Sequence, residues 1–304
     1  MEMNKFAQLV QERIAERLGE SYQVTLQEVC KNNCVMLQGL LILSQTKNVS
    51  PTIYLKPFWE AYEKGMALET VVDKILQIYW EDTPNKKVNM NFFKHFEKVR
   101  DRICYRLIHA GKNAKLLEDI PHIGFLDLAI CFFYAYQGRM LGEGSILIHN
   151  VHMEMWETST AELLRLAQEN TPRIFPWECN SMEDVVQEIL REQKGNLHLS
   201  REEQDTFFSG VPMRILSNRK RVQGAACILY PDVLEQLSAQ AGGNLYILPS
   251  SIHEVILLAD GGREEPELLK EMIFDVNRTQ VEPEEILSDS LYYYDRTKKC
   301  VKIL

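Results

Sequence analysis

One run of eleven residues, LDLAICFFYAY at positions 126–136, is nearly all apolar. A strand with one face in water alternates apolar with polar side chains, so an uninterrupted run predicts a strand that is buried on both faces. The run is also about half as long as a membrane-spanning helix, which needs roughly 20 apolar residues. It therefore predicts a strand in the centre of a sheet.

Helical and strand-like segments alternate around this run. Apolar residues recur at helical spacing in residues 3–18, and residues 22–43 predict a hairpin, because the asparagines of KNN tolerate the left-handed conformation of a tight turn. Further strands are expected at RICYRLIHA (102–110), SILIHNVHM (145–153), MRILSN (213–218), AACILY (225–230), NLYILP (244–249), HEVILLA (253–259) and in a closing hairpin of SLYYYD (290–295) with CVKIL (300–304).

This pattern predicts the α+β class, with mostly antiparallel sheets and flanking helices. Residues 194–212 are the most polar and least patterned segment. We therefore expect two sub-domains, an N-terminal α+β region at 1–195 (helix, hairpin, helix, then strands and helices) and a C-terminal α+β region at 196–304. The last tyrosine-rich strand is expected at a sheet edge.

Composition narrows the range of functions. A net charge of −9 argues against general nucleic-acid binding, which needs a surplus of Lys and Arg. Residues 1–18 lack the apolar core of a signal peptide, and the seven cysteines follow no disulfide-framework spacing, which favours a cytoplasmic location. The phosphate-binding loops of nucleotide enzymes are absent from the sequence, so we expect no cofactor.

The segment LPSSIHEVILL (248–258) places serine, histidine and glutamate close together, and it makes Ser250, Ser251 and His253 weak catalytic candidates. On a strand, His253 and Glu254 would point to opposite faces, so the orienting acid of a triad would have to come from elsewhere, with Asp232 or Glu235 as candidates. A turn between two strands, or a binding loop for a small molecule or peptide, is the alternative interpretation.

A second group of polar residues suggests metal binding. His149 and His152 could share a helical face, but a strand here would point them to opposite sides, so they remain weak metal candidates and no metal is expected. Cys30 and Cys34 flank the first tight turn and could form a redox pair, although their spacing is not that of thiol oxidoreductases.

Two loops carry the remaining candidates for binding. We expect SNRKRVQG (217–224) and LPSSIHE (248–254) to lie at strand ends, where they could face each other. The candidate binding residues on these loops are Asn218, Arg219, Arg221, Ser251, His253 and Glu254.

Several exact strings resemble an uncharacterised family that is known only as a domain of unknown function. They are VTLQEVCKNN, SPTIYLKPFWEAYEKG, LLRLAQENTPRIFP, LSNRKRVQGAACILYP, LYILPSSIHEVIL and VNRTQVEPEEILSDSLYYYDR, and they extend over about residues 23–296. The family occurs in Gram-positive gut anaerobes, often near mobile elements. The resemblance implies a fold and a cytoplasmic location but no reaction.

Two functions follow as hypotheses. The first is a non-enzymatic binding or regulatory module with a protein partner, such as an accessory protein of a mobile element, without membrane or general nucleic-acid binding. The second is a hydrolase that uses Ser251 and His253. The hydrolase predicts that a distant carboxylate and a pair of backbone N–H donors converge on His253 in a concave pocket. Ring nitrogens of His253 that are satisfied by the backbone would exclude it.

Overall fold

A computed structural model describes residues 2–84, 87–138, 142–183, 213–249, 251–262 and 265–304. The fold is α+β with antiparallel sheets, as predicted. Its helices are α1 (Met3–Leu18), α2 (Lys56–Glu63), α3 (Leu68–Asp82), α4 (Phe96–Val99), α5 (Ala114–Leu117), α6 (Asn150–Trp156), α7 (Thr160–Ile174), α8 (Val233–Ala241) and α9 (Pro266–Thr279). In the described part of the chain, no helix is long and apolar enough to cross a membrane.

The strands of the described residues form three sheets. They are β1 (Tyr22–Cys30), β2 (Met36–Ser44), β3 (Thr52–Tyr54), β4 (Ile103–His109), β5 (His122–Phe125), β6 (Leu128–Gly138), β7 (Gly142–Leu147), β8 (Trp177–Ser181), β9 (Arg214–Asn218), β10 (Leu245–Leu248), β11 (Val255–Ala259), β12 (Tyr292–Asp295) and β13 (Cys300–Ile303).

The chain divides into two compact units. Unit 1 contains Met1–Lys98 and Ala135–Ile146, and unit 2 contains Val99–Tyr134 and Leu147–Leu304. The boundary that the sequence predicts, between residues 195 and 196, lies outside the described residues and stays a prediction.

Unit 1 contains the predicted hairpin. β1 pairs with β2 from Tyr22↔Ser44 to Cys30↔Met36, and β3 joins the other side of β2. The turn between β1 and β2 places Asn33 and Cys34 in the left-handed region, with φ of 61° and 56°. One face of this sheet packs against the apolar stripes of α1 and α3, and the buried residues include Phe6, Val10, Ile14, Ile42, Ile75 and Tyr79.

Unit 2 contains the six-stranded sheet, in the order β13-β12-β10-β11-β9-β8. Leu269 and Ile273 of α9 pack on one face of it, against Tyr246 and Leu258. In another sheet β6 lies between β4 and β5, so the prediction of a central strand is confirmed.

The predictions for AACILY and SLYYYD are wrong. AACILY is not a strand, because Gly224–Leu229 forms a 3-10 helix whose residues 224–228 are buried. Short apolar runs are compatible with a buried helix as well as with a strand, and periodicity does not separate the two. SLYYYD is not at an edge, because β12 lies between β10 and β13 and Tyr292 and Tyr294 are buried.

Candidate functional site

The structure brings together the two loops that carry most of the candidate residues. We call residues 217–224 and 249–254, without residue 250, the loop pair. The hydroxyl of Ser217 donates a hydrogen bond of 2.7 Å to the backbone carbonyl of His253. The backbone N–H of Ala225, next to the first loop, donates to the carbonyl of Ile252 at 3.2 Å. These bonds connect the end of β9 to the segment that precedes β11.

Gly224 allows this close approach. A Cβ atom at this position would lie 2.2 Å from Oγ of Ser217, 2.4 Å from the carbonyl oxygen of His253 and 2.8 Å from the backbone nitrogen of Asn218. Two of these three atoms belong to the backbone and cannot move away by a rotamer change. Only a residue without a side chain fits between the two loops.

Asn218 shapes the first loop from inside. Its side chain is buried. The Nδ2 group donates to the carbonyl of Val222 at 2.7 Å, and Oδ1 accepts from the backbone N–H groups of Lys220 and Val222 at 3.0 and 3.4 Å. These three bonds lie within the loop, so the Asn218 amide fixes the loop backbone.

Three consecutive cations, Arg219, Lys220 and Arg221, lie exposed at the tip of that loop. The backbone N–H of Arg219 donates to the carbonyl of Pro176 at 2.9 Å. Nε of Arg221 lies 3.7 Å from a carboxylate oxygen of Glu178 on β8. This arrangement holds a concentrated positive charge on a chain whose net charge is −9.

His253 lies in the second loop and not on a strand, because β11 begins only at Val255. Its Nδ1 accepts a hydrogen bond of 3.3 Å from the backbone N–H of Gln223. The ring proton of the neutral imidazole is then on Nε2, which lies 3.4 Å from Oε1 of Glu285. A distant carboxylate therefore does approach His253, and it comes from Glu285 rather than from Asp232 or Glu235.

Ser251 is buried, and its Oγ accepts a hydrogen bond of 3.0 Å from the backbone N–H of His253. A general base needs its ring lone pair on the serine hydroxyl, whereas the lone pair of Nδ1 is directed at Gln223. This geometry supports a structural turn and not a nucleophile–base pair. The other serine candidate, Ser250, lies outside the described residues.

Glu254 lies beside this turn. Burial raises the pKa of its carboxyl, while the nearby His253, a hydrogen bond from Ser251 and the nearby Arg221 partly oppose the shift. The loop pair thus contains one carboxyl group that is destabilised in its charged form.

His149 and His152 form a helix start instead of the predicted strand end. His149 is the N-cap of α6, and its backbone N–H donates to Nδ1 of His152 at 3.0 Å. Nδ1 of His149 lies 2.6 Å from Oδ2 of Asp119, and the ring of His152 stacks on Trp156. Among the described residues no group of three His, Cys, Asp or Glu side chains could hold a metal ion.

A polar cluster around Asp127 was not predicted from the sequence. The carboxylate accepts hydrogen bonds from the hydroxyls of Ser288 at 2.6 Å, Ser290 at 2.9 Å and Tyr292. Nε2 of His109 lies 3.9 Å from it. The sequence does contain a signal for this site, because Asp127 is the single charged residue in LDLAICFFYAY. The residues around Asp127 do not reveal its partners, which lie about 160 positions later in the chain.

The pKa values in this cluster have opposing causes. Burial alone would raise the pKa of Asp127, but the hydroxyls of Ser288, Tyr292 and Ser290 outweigh it, and the pKa lies below its ordinary value. Burial lowers the pKa of His109, against the attraction of Asp127. The cluster therefore holds an ionised carboxylate beside a neutral imidazole at neutral pH.

Comparison with known proteins places these features in a family. Residues 3–296 match the model of DUF5688, a family of unknown function, and this range includes the loop pair and the Asp127 cluster. No curated protein and no solved structure matches the chain. Because the match covers nearly the whole chain, the protein belongs to the DUF5688 family of unknown function.

Proposed function

We propose that this protein is a non-enzymatic binding module that recognises an acidic segment of a protein partner through the loop pair. The observation that carries the proposal is the fixed backbone from which Arg219, Lys220 and Arg221 extend. Asn218 and Gly224 hold this loop backbone in one conformation, so binding does not have to order it. Such preorganisation lowers the entropic cost of binding.

Charge complementarity supports an acidic partner. The cations lie on a protein with 43 acidic and 34 basic residues, so they attract an anionic segment locally while the overall charge opposes nonspecific binding to polyanions. The lone pair of Nδ1 of His253, which accepts from the backbone N–H of Gln223 and not from the hydroxyl of Ser251, favours this module over the hydrolase. Ser251, His253 and Glu254, on the second loop of the loop pair, then stabilise the first loop and do not contact the partner.

The resemblance to proteins of Gram-positive gut anaerobes also bears on where in the cell the protein acts. We infer that the module acts in the cytoplasm, as an accessory protein of a mobile element. The buried thiols of Cys104, Cys131 and Cys227 suit a reducing compartment.

Selection from a random peptide library tests the proposed specificity. Peptides of about 12 residues displayed on phage are selected on the wild-type protein and measured on two double variants. One is Arg219→Glu/Lys220→Glu, and the control is Lys5→Glu/Lys64→Glu, which makes the same charge change at exposed positions of unit 1. We expect peptides rich in Asp and Glu that bind the first variant at least about 10-fold more weakly and the control unchanged.

Two results would contradict the proposal. One is enrichment of peptides without acidic residues, and the other is equal binding to both double variants. The hydrolase alternative is tested separately with p-nitrophenyl acetate. Turnover above background by the wild type, lost in a folded Ser251→Ala/His253→Ala variant, would favour the hydrolase.

A further inference from the structure

A groove of about 430 Å³ lies at the C-terminal end of α9 in unit 2. This volume is within the range of roughly 300–1,000 Å³ that is usual for small-molecule sites. The last turn of the helix and the segment that follows it form the lining. The residues that matter here are Asn277, Thr279, Gln280, Glu282, Pro283 and Ile286, and we call the space that they line the helix-end groove.

Asn277 contributes to this lining a buried acceptor that has no donor. The residue is 2% exposed. Its Nδ2 group donates hydrogen bonds to the backbone carbonyl of Ser288 at 3.0 Å and to Oδ1 of Asp289 at 2.7 Å. A carbonyl and a carboxylate only accept, so these two bonds fix the orientation of the amide. The remaining atom, Oδ1 of Asn277, has no hydrogen-bond partner among the described residues, although buried polar atoms normally have one.

The end of α9 adds further acceptors. The last four carbonyls of a helix have no partner inside it, and many helices satisfy them through a glycine that follows the last turn. α9 has Gln280 as its C-cap instead, and the N–H of Gln280 donates to the carbonyl of Val276 at 2.9 Å. No hydrogen bond from the described residues reaches the carbonyls of Asn277, Arg278 and Thr279. These carbonyls form the negative end of the helix dipole.

The charges around the groove have the same sign as this dipole end. The exposed Glu282 belongs to the lining. Arg278 also belongs to it, but its guanidinium carbon lies 4.3 Å from the centroid of the Phe274 ring, one turn back along the helix. The cation of Arg278 is therefore directed away from the helix end. The groove attracts a cation that can donate several hydrogen bonds.

A guanidinium group has this chemistry. It is planar and permanently charged, it has up to five N–H donors, and it is more weakly hydrated than an ammonium group. Side chains of this kind are established partners of the last carbonyls of a helix. The groove is open to such a ligand because Thr279, Gln280, Glu282 and Pro283 are exposed. Pro283 and the half-buried Ile286 provide apolar surface for its alkyl stem.

We propose that the helix-end groove binds a guanidinium group, carried by a free small molecule or by an arginine side chain of another protein. The group donates to Oδ1 of Asn277 and to the last carbonyls of α9, and the carboxylate of Glu282 balances its charge. The ligand thus supplies the donor that the buried amide oxygen lacks.

Titration of isotope-labelled protein, followed by nuclear magnetic resonance, tests this proposal. The signals are those of the side-chain amide of Asn277 and of the backbone N–H groups of Val281 and Glu282. The probes are methylguanidinium for a free small molecule and Nα-acetyl-arginine amide for an arginine side chain. Nα-acetyl-citrulline amide is the control with the same shape and no charge, and Nα-acetyl-lysine amide is the control with a charge and no planar group.

We expect either guanidinium probe at millimolar concentration to shift these signals until they saturate. The citrulline and lysine controls should bind at least about 10-fold more weakly, a difference of about 1.4 kcal/mol. Binding of one guanidinium probe alone identifies the source of the ligand, and binding of both shows that the guanidinium group is sufficient.

Two variants test the residues of the groove. Glu282→Gln should weaken the binding at least about 3-fold, whereas Glu271→Gln, the same charge change at an exposed position of α9 outside the groove, should leave it unchanged. Asn277→Ala removes the buried acceptor and should abolish the binding in folded protein. The proposal is overturned if neither guanidinium probe shifts the signals, if either control binds as tightly as the guanidinium probes, if Glu282→Gln binds as tightly as Glu271→Gln, or if folded Asn277→Ala still binds.

Discussion

The hydroxyl of Ser288 donates a hydrogen bond of 2.6 Å to the carboxylate of Asp127, which lies 161 positions earlier in the chain. Two further hydroxyls, from Ser290 and Tyr292, converge on the same carboxylate. The bonds connect the start of β6 to the segment that leads into β12. One half-buried charge thereby connects segments of unit 2 that are distant in sequence.

Replacing this charge should reduce stability. Asp127→Asn leaves one side-chain oxygen for three hydroxyl donors, and we expect a loss of about 2–3 kcal/mol in the free energy of unfolding at pH 7, measured by urea denaturation. Asp275→Asn, at an exposed position of α9, is the matched control and should change it by less than about 0.5 kcal/mol. Similar stability of both variants would contradict a structural role for the cluster.

Ionisation of the same carboxylate should make the free energy of unfolding depend on pH. Because the folded-state pKa of Asp127 is lowered, its contribution is present above the unfolded pKa of about 3.9 and is lost as the pH falls through the lower folded value. The difference in unfolding free energy between wild type and Asp127→Asn should therefore shrink below about pH 4. A difference that stays constant from pH 7 to pH 3 would show that the charge is not its cause.

The contribution of Glu254 to the pH dependence of stability should have the opposite sign. Burial raises its folded-state pKa, so its ionisation costs stability as the pH rises through the folded value. Glu254→Gln should therefore be more stable than the wild type at pH 7 and nearly equal to it below about pH 4. Urea denaturation at both pH values measures this, with the exposed Glu271→Gln as control. A stabilisation that is the same at both pH values would exclude ionisation as its origin.

The close approach at Gly224 gives a steric prediction. Gly224→Ala forces the two loops apart and should cost about 1–3 kcal/mol in the free energy of unfolding. Gly124→Ala, where a Cβ meets nothing within 4 Å, should change it by less than about 0.5 kcal/mol. Equal unfolding midpoints in urea would mean that the loops do not need this contact.

Cysteine reactivity should separate the buried thiols from the exposed ones. Burial raises the pKa of Cys104, Cys131 and Cys227 to about 12, whereas Cys30, Cys34 and Cys300 are exposed. At pH 8 the three buried thiols have almost no thiolate, the reactive form, so site-resolved iodoacetamide labelling should modify the three exposed thiols first. Labelling of all six at one rate, as in urea-unfolded protein, would show that the core is open to the reagent.

Local sequence determined the elements whose partners are close along the chain. The apolar spacing of residues 3–18 predicts α1 with its observed bounds, and the asparagine turn predicts the β1–β2 hairpin. The uninterrupted apolar run of 126–136 likewise predicted the central position of β6. In each case periodicity or turn chemistry acts over a few residues, so one segment contains the whole signal.

The tertiary structure alone decided what lies at the candidate sites. AACILY becomes a 3-10 helix where Gly224 packs against Ser217 and His253, and the ring of His253 takes its hydrogen bond from the other loop. The partners of Asp127 likewise come from a distant segment. Such contacts depend on which strands pair and on how closely two backbones approach. No local propensity encodes either quantity, because both arise only when the whole core has assembled.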